Sequence, residues 1–246
     1  MPSARIAMWS GPRNISTALM RSFGSRADTI VFDEPLYARY LHARLELRHP
    51  GRDEIVAAGP IDMDEITAML TGPLPPGATI SYQKHMAHHL LPGDFDRLGW
   101  IDGLCNCFLI RDPGEMITSF IRIVPDPTPA DLGLPQQVRL FEIVRDRTGR
   151  TPPVLDSRDV LEDPRGMLSA LCERVGIPFD NAMLTWEPGP HKTDGVWATH
   201  WYDSVYKSTG FVPHRPSNEP VPDRLAGVHA ECRALYDTLF QFRLRG

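Results

Sequence analysis

Short apolar runs alternate along the chain with longer stretches in which apolar residues recur every three or four positions. Arg5 to Trp9 is a short apolar run closed by Ser10-Gly11-Pro12, which predicts a buried strand, and Ser16 to Phe23 predicts a helix. Thr29 to Asp33 predicts the next strand, and a helical stretch follows from Pro35 to about Leu47. Asp62 to Leu70 reads as a short helix behind an Asp cap. Thr79 to Gln83 and Cys107 to Ile110 predict strands, and Gly114 to Val124 and Leu134 to Arg147 predict helices. Val154 to Asp156 predicts a strand, Pro164 to Val175 an amphipathic helix closed by Gly176, and Leu225 to Phe242 a terminal helix.

Strand and helix in turn imply an α/β fold, a parallel sheet with helices on both faces. In such sheets ligands sit beyond the carboxyl ends of the strands. The 24 prolines cluster between elements, at Pro73 to Pro76, Pro125 to Pro135, Pro152–Pro153 and Pro213 to Pro222. None marks a boundary, so a single domain is expected over residues 1–246.

Composition narrows the function classes. With 246 residues, 42% hydrophobic and 23% charged, the chain can bury a sizeable core without disulfides or structural metal. A net charge of −5 provides no broad basic field for nucleic acid or an anionic membrane, so an anionic ligand must be held by local groups. Cys105 and Cys107 sit two apart in an apolar run, on one face of a strand, and with Cys172 and Cys232 they read as buried small hydrophobes in a reducing compartment. Arg5 to Trp9 is too short for a signal-peptide core and no apolar run reaches membrane-spanning length, so a cytoplasmic protein is expected.

The segment Ser10-Gly11-Pro12-Arg13-Asn14-Ile15-Ser16-Thr17 leaves the first strand and enters the first helix. Its backbone N–H groups, the helix N-terminus and the Ser16 and Thr17 hydroxyls converge on one place, where an anion fits. Arg13 adds a planar cationic fork suited to phosphate or sulfate. Counting a Walker A pattern from Gly11 puts Ser16 and Thr17 where Gly and Lys belong, which disfavours an ordinary ATPase or GTPase. The bland alternative is a helix start with a solvated Arg13.

Pro12-Arg13-Asn14-Ile15-Ser16-Thr17-Ala18-Leu19 resembles the 5′-phosphosulfate loop of sulfotransferases: Pro, a basic residue, Ser, Gly, Ser or Thr, Thr, a small or aromatic residue, then Leu. Arg13 matches the basic residue, and Ser16 and Thr17 match the hydroxyl pair. Ile15 stands where the family has Gly, and a β-branched residue is poorly suited to positive φ. Either the turn follows another path here or the donor site has changed.

Strand Cys107 to Ile110 delivers Arg111-Asp112-Pro113, with Ser119 eight residues after Arg111. Alone, this is a common helix entry with an internal Arg–Asp contact. It is also similar to the Arg-X-Pro and following Ser of sulfotransferases, whose side chains bind the nucleotide's 3′-phosphate. Asp163-Pro164 and Gly176-Ile177-Pro178 resemble the family's later strand–turn–helix segment.

Two candidates for a general base follow from the same resemblance. Glu34, in Phe32-Asp33-Glu34-Pro35-Leu36, resembles the Glu-Pro-Leu element of carbohydrate-type sulfotransferases; otherwise it is a helix-start acid. Lys84-His85, in Tyr82-Gln83-Lys84-His85-Met86-Ala87-His88-His89-Leu90-Leu91-Pro92, resembles the Lys-Thr-His-Leu-Pro stretch of cytosolic members, one residue shorter. That leaves His85, His88 or His89 as the functional ring, or none of them. Glu34 is preferred, with His85 beside it. A metal bound by His85, His88 and His89 lacks a second ligand set, so no metal is expected. Asp194 to Phe211, rich in Trp, Tyr and Gly, reads as a lid, a substrate wall or a packed loop, and Lys207 within it is a candidate phosphate contact.

The resemblance implies a P-loop nucleoside triphosphate hydrolase-like, sulfotransferase-like fold. It implies a sulfuryl group moved from 3′-phosphoadenosine 5′-phosphosulfate (PAPS) to a hydroxyl or amine of a small molecule. Lys84, Arg13, Glu34 and His85 are the expected catalytic residues. Arg13, Asn14, Ser16, Thr17, Arg111, Ser119 and Lys207 are the expected nucleotide contacts. Two alternatives stay open: a nucleotide- or sulfated-ligand-binding protein without turnover, and a P-loop phosphotransferase. Oligomeric state is not legible.

Overall fold

The computed structural model describes residues 3–47, 49–216 and 219–246. In chain order its elements are β1 (Ala4–Ser10), α1 (Ser16–Gly24), β2 (Thr29–Asp33), α2 (Tyr37–Ala43), α3 (Arg52–Ala58) and α4 (Met63–Thr71). They continue with β3 (Ile80–Met86), β4 (Cys105–Ile110), α5 (Pro113–Phe120), α6 (Pro129–Leu132), α7 (Leu134–Thr148), β5 (Val154–Asp156), α8 (Ser157–Glu162) and α9 (Pro164–Val175). The last are α10 (Ala198–Trp201), α11 (Asp203–Tyr206) and α12 (Ala226–Phe240). The expected strands all form, and α9 has the predicted bounds, with Gly176 left-handed at its end. Asp62 caps α4 by accepting from the backbone N–H of Asp64 and Glu65.

Five parallel strands lie in the order β2-β3-β1-β4-β5. The chain leaves β1 toward one edge, returns through β3, then crosses to β4 on the other side. β1 is therefore the topological switch point, and the crevice beyond its carboxyl end is where a ligand belongs. Alternation in β1 supplies both faces of the sheet. Ala7 and Trp9 join one core layer with α4, α5, α7 and α12, while Ile6 and Met8 join the other with α1, α2 and α9. Cys107, Cys172 and Cys232 are buried, Cys105 is half-buried, and all four are free thiols. Among the described residues, no helix is long and apolar enough to cross a membrane.

Candidate functional site

β1 ends at Ser10, and the turn to α1 forms in a tight place. A Cβ on Gly11 would lie 2.4 Å from the Leu132 carbonyl oxygen, so only glycine fits. Arg13 and Ile15 both take left-handed backbone, with φ of 63° and 56°. Ile15 thus adopts a positive φ at the position where the pattern it resembles has glycine. The buried Asn14 side chain ties the turn to β4 by donating to the Leu109 carbonyl at 3.2 Å. α1 starts with no side-chain cap, which leaves its first-turn N–H groups available. The turn therefore presents bare amides and a helix N-terminus to the crevice, the arrangement that binds an anion.

The second anchor reaches the same turn. Asp112 caps α5 through the N–H groups of Gly114 and Glu115, which fixes where β4 hands over to the helix. Arg111 then donates through one terminal nitrogen to the Arg13 carbonyl oxygen at 2.6 Å. Arg13 Nε in turn donates to Ser119 Oγ at 2.9 Å. Glu115 neutralises Arg111 at 3.0 Å and also meets His214 Nε2 at 2.9 Å. Arg13 has no carboxylate partner among the described residues. Burial, with the cations of Arg111 and Arg122 nearby, pushes its pKa down. A partly buried guanidinium bonded to a neutral hydroxyl and crowded by other cations is a place where an anion is stabilised.

Arg13, Ser16, Thr17 and Arg111 line a cavity of about 530 Å³, and so do Glu34 and Lys84. Lys84 is 1% exposed, yet all three of its donor positions are used: Asp33 Oδ1 at 2.9 Å, Glu34 Oε1 at 2.5 Å and the Tyr202 hydroxyl at 2.6 Å. The Tyr202 hydroxyl in turn donates a hydrogen bond to Asp33 at 2.7 Å. Burial alone would lower the Lys84 pKa, but the carboxylates of Asp33 and Glu34 outweigh it and hold the ammonium charged, well above its ordinary range. Glu34 moves the other way for a carboxylate. Burial raises it and Asp33 adds to the rise, against the pull of Lys84, because two carboxylates share one cation. Glu34 also sits at φ 44°. The three described non-glycine residues with positive φ, Arg13, Ile15 and Glu34, all line this cavity. Strain so localised is characteristic of functional sites.

The sulfotransferase domain model matches residues 4–230. The chain belongs to the sulfotransferase domain family. Two Arabidopsis thaliana relatives, branched-chain-amino-acid aminotransferase-like proteins 2 and 1, are 33% and 37% identical over 95% and 84% of this sulfotransferase-family chain. The chain spans only 41% and 36% of their lengths. Solved sulfotransferases share the fold. The enzyme from Alicyclobacillus acidocaldarius aligns with 99% of this chain and 98% of its own, at TM-score 0.57 and 15% identity. The sulfotransferase domain of a Synechococcus olefin synthase aligns with 99% of this chain and 96% of its own, at TM-score 0.53 and 15% identity.

Within this sulfotransferase fold, three expected site residues do not line the cavity: His85, Lys207 and Ser119, the last of which meets it only through Arg13. His85 follows Lys84 on β3, so its ring points to the opposite face of the sheet. There it stacks on Trp9 with centroids 4.2 Å apart and meets Gln83 Oε1 at 3.2 Å. It does not line the cavity. Lys207 is exposed just beyond α11, while its neighbours Val205 and Ser208 line the cavity wall and it does not. Conversely, His88 and His89 do line the cavity, with Tyr37, Tyr40, His49 and Trp201. Sequence reading left Tyr202 and Asp33 out of the site. Tyr202 lies 118 positions from Lys84 and stands in the segment expected to form a lid or substrate wall. Among the described residues, no group of three His, Cys, Asp or Glu side chains is placed to hold a metal ion.

Proposed function

We propose that this chain is a sulfotransferase moving a sulfuryl group from PAPS to a hydroxyl of a small acceptor. The observation that carries this reading is the bond from Arg111 to the Arg13 backbone, which gathers both expected phosphate anchors onto the cavity that holds Glu34 and Lys84. The turn fits the donor's anionic end: uncapped N–H groups, two hydroxyls, and a guanidinium lacking a counter-charge. Bound there, the donor would supply an activated sulfuryl group.

The chain's own residues have separable tasks. Arg13 and the turn amides neutralise the 5′-phosphate that leaves as its bond to sulfur breaks. Arg111 and Ser119 hold the 3′-phosphate and so aim the donor. Glu34 takes the proton of the acceptor hydroxyl as oxygen bonds to sulfur, and its raised pKa suits that transfer. Lys84 holds Glu34 in place and, remaining charged, counters negative charge near the transferring group. His85 receives no role, because its ring lies across the sheet. A turnover-free binding protein would have the same anchors, so turnover itself is the test. With radiolabelled PAPS and 2-naphthol, the wild type is expected to form the naphthyl sulfate. Glu34→Gln should bind 3′-phosphoadenosine 5′-phosphate (PAP) normally yet turn over about 100-fold more slowly. A Glu34→Gln protein at full rate would remove Glu34 as base, and absence of both transfer and PAP binding would remove the reading.

A further inference from the structure

Two consecutive carboxylates, Asp33 and Glu34, reach one ammonium. β2 ends at Asp33, which is paired in register with Lys84 on β3. Side chains that follow one another along a strand point to opposite faces. Glu34, however, leaves the strand at φ 44°, and both carboxylates meet Lys84 Nζ, Asp33 at 2.9 Å and Glu34 at 2.5 Å. Only Glu34 of the two lines the cavity. The Asp33 side chain is 2% exposed, so it acts on a bound substrate only through its neighbours.

The rest of the Asp33 carboxylate is taken by a distant part of the chain. Its Oδ2 accepts from the Gly195 backbone N–H at 3.0 Å, and both oxygens lie 2.7 Å from the Tyr202 hydroxyl. Asp194, one residue before Gly195, makes a buried ion pair with Arg21 on α1 at 2.7 Å. The stretch fastened in this way supplies Trp201, Tyr202, Ser204, Val205 and Ser208 to the cavity wall. One buried carboxylate therefore holds the wall and shares the cation of the expected base.

Sharing a cation is a competition. Each donor that reaches Asp33 from residues 194–202 leaves more of the Lys84 ammonium to Glu34, and each donor removed draws Lys84 toward Asp33. Of the described titratable groups that face Glu34, burial keeps Tyr37 and Tyr202 protonated and His89, 4.0 Å away, neutral. Lys84 and Asp33 are thus the charges that set the state of Glu34, and they act on it in opposite directions.

We infer that Asp33 is a positioning residue for the transfer, one that couples the seating of residues 194–202 to the share of Lys84 held by Glu34. This rests on the sulfotransferase reading for the role of Glu34 as base, while the sharing of Lys84 stands on the distances alone. The experiment follows the Glu34 carboxyl by carbon-13 NMR against pH in the full chain, with Glu34→Gln to assign the signal. The pH dependence of kcat/KM with PAPS and 2-naphthol is measured alongside. Asp33→Asn keeps the size of the side chain and removes the competing charge, and the Glu34 midpoint is expected to fall by about one pH unit or more. Tyr202→Phe keeps the ring and takes a donor from Asp33, and the midpoint is expected to rise by about half a pH unit. The acidic limb of kcat/KM is expected to move with the midpoint in both variants, a shift that a merely structural role would not produce. Failure of the sulfotransferase reading would show as absence of PAP binding and of transfer in the wild type, and would remove the transfer role with it. The inference alone is overturned if the Asp33→Asn midpoint stays or rises, if Tyr202→Phe leaves or lowers it, or if the midpoints move while the limb of an active enzyme does not.

Discussion

The guanidinium of Arg111 donates to the backbone carbonyl of Arg13 across 98 positions of sequence, at 2.6 Å. One side chain at the end of β4 thereby holds the turn at the end of β1 and carries positive charge to the same cavity. The switch point of the sheet explains why the two meet, since β1 and β4 are neighbours and parallel. The link also means that Arg111 has a structural share in the shape of the turn, so its loss is expected to disturb both anchors.

Ile15 tests how much strain the turn tolerates. A left-handed β-branched residue costs about 1–2 kcal/mol, and glycine there would remove that cost. Against it stand glycine's larger loss of chain entropy and the loss of a half-buried side chain, each about 1 kcal/mol. Ile15→Gly is therefore expected to leave stability within about 1 kcal/mol of the wild type in urea denaturation, with PAP binding retained. A loss of about 3 kcal/mol would show that Ile15 is held by packing rather than opposed by strain.

Lys84 serves two buried carboxylates at once. Lys84→Met leaves Asp33 and Glu34 together without a cation, and a loss of about 3–5 kcal/mol is expected at neutral pH. Glu34→Gln should cost much less, because Lys84 keeps Asp33 and Tyr202. The sign with pH follows from Glu34. Its folded pKa is raised, so the native state binds that proton more readily and its ionisation erodes stability as pH rises above the free carboxylate range. Lowering the pH should accordingly recover part of the Lys84→Met deficit. Equal stabilities of Lys84→Met and wild type would contradict the network.

His85 offers an opposite sign. Burial against Trp9 pushes it down to about 3, so its contribution is present above the free imidazole range and is lost as pH falls from there toward about 3. His85→Phe keeps a ring on Trp9 and removes the titration. Its stability is expected to decline less steeply between neutral pH and pH 4, by about 1.4 kcal/mol per pH unit. Turnover should persist in this variant, and a variant folded but inactive would return His85 to the chemistry.

Much of this was legible locally. The strands showed as bounded apolar runs, and Asp62 and Gly176 marked helix ends through their own side-chain or backbone preferences. Arg13 and Arg111 were singled out because the segments around them, each at a strand-to-helix junction, resemble sulfotransferase phosphate-binding motifs, and both line the cavity. What was not legible depends on distance in sequence or on face. Tyr202 enters the Lys84 network only through folding of the segment after Asp194, which has no periodicity to read. The one-residue step between Lys84 and His85 decides which of the two side chains lines the cavity. Alternation on β3 sends one into the cavity and the other to Trp9, and only the pairing of β3 with β1 and β2 fixes which. Residues 87–103 are largely short 3₁₀ turns, which carry no helical period.

The most direct measurement is calorimetric titration of the wild type and Arg111→Ala with PAP and with AMP, which lacks the 3′-phosphate. If Arg13 and Arg111 hold opposite ends of one bisphosphorylated adenosine, PAP binds the wild type about tenfold or more tighter than AMP, and Arg111→Ala abolishes the difference. Equal affinity of the wild type for the two nucleotides, or an undiminished preference in Arg111→Ala, would contradict the account.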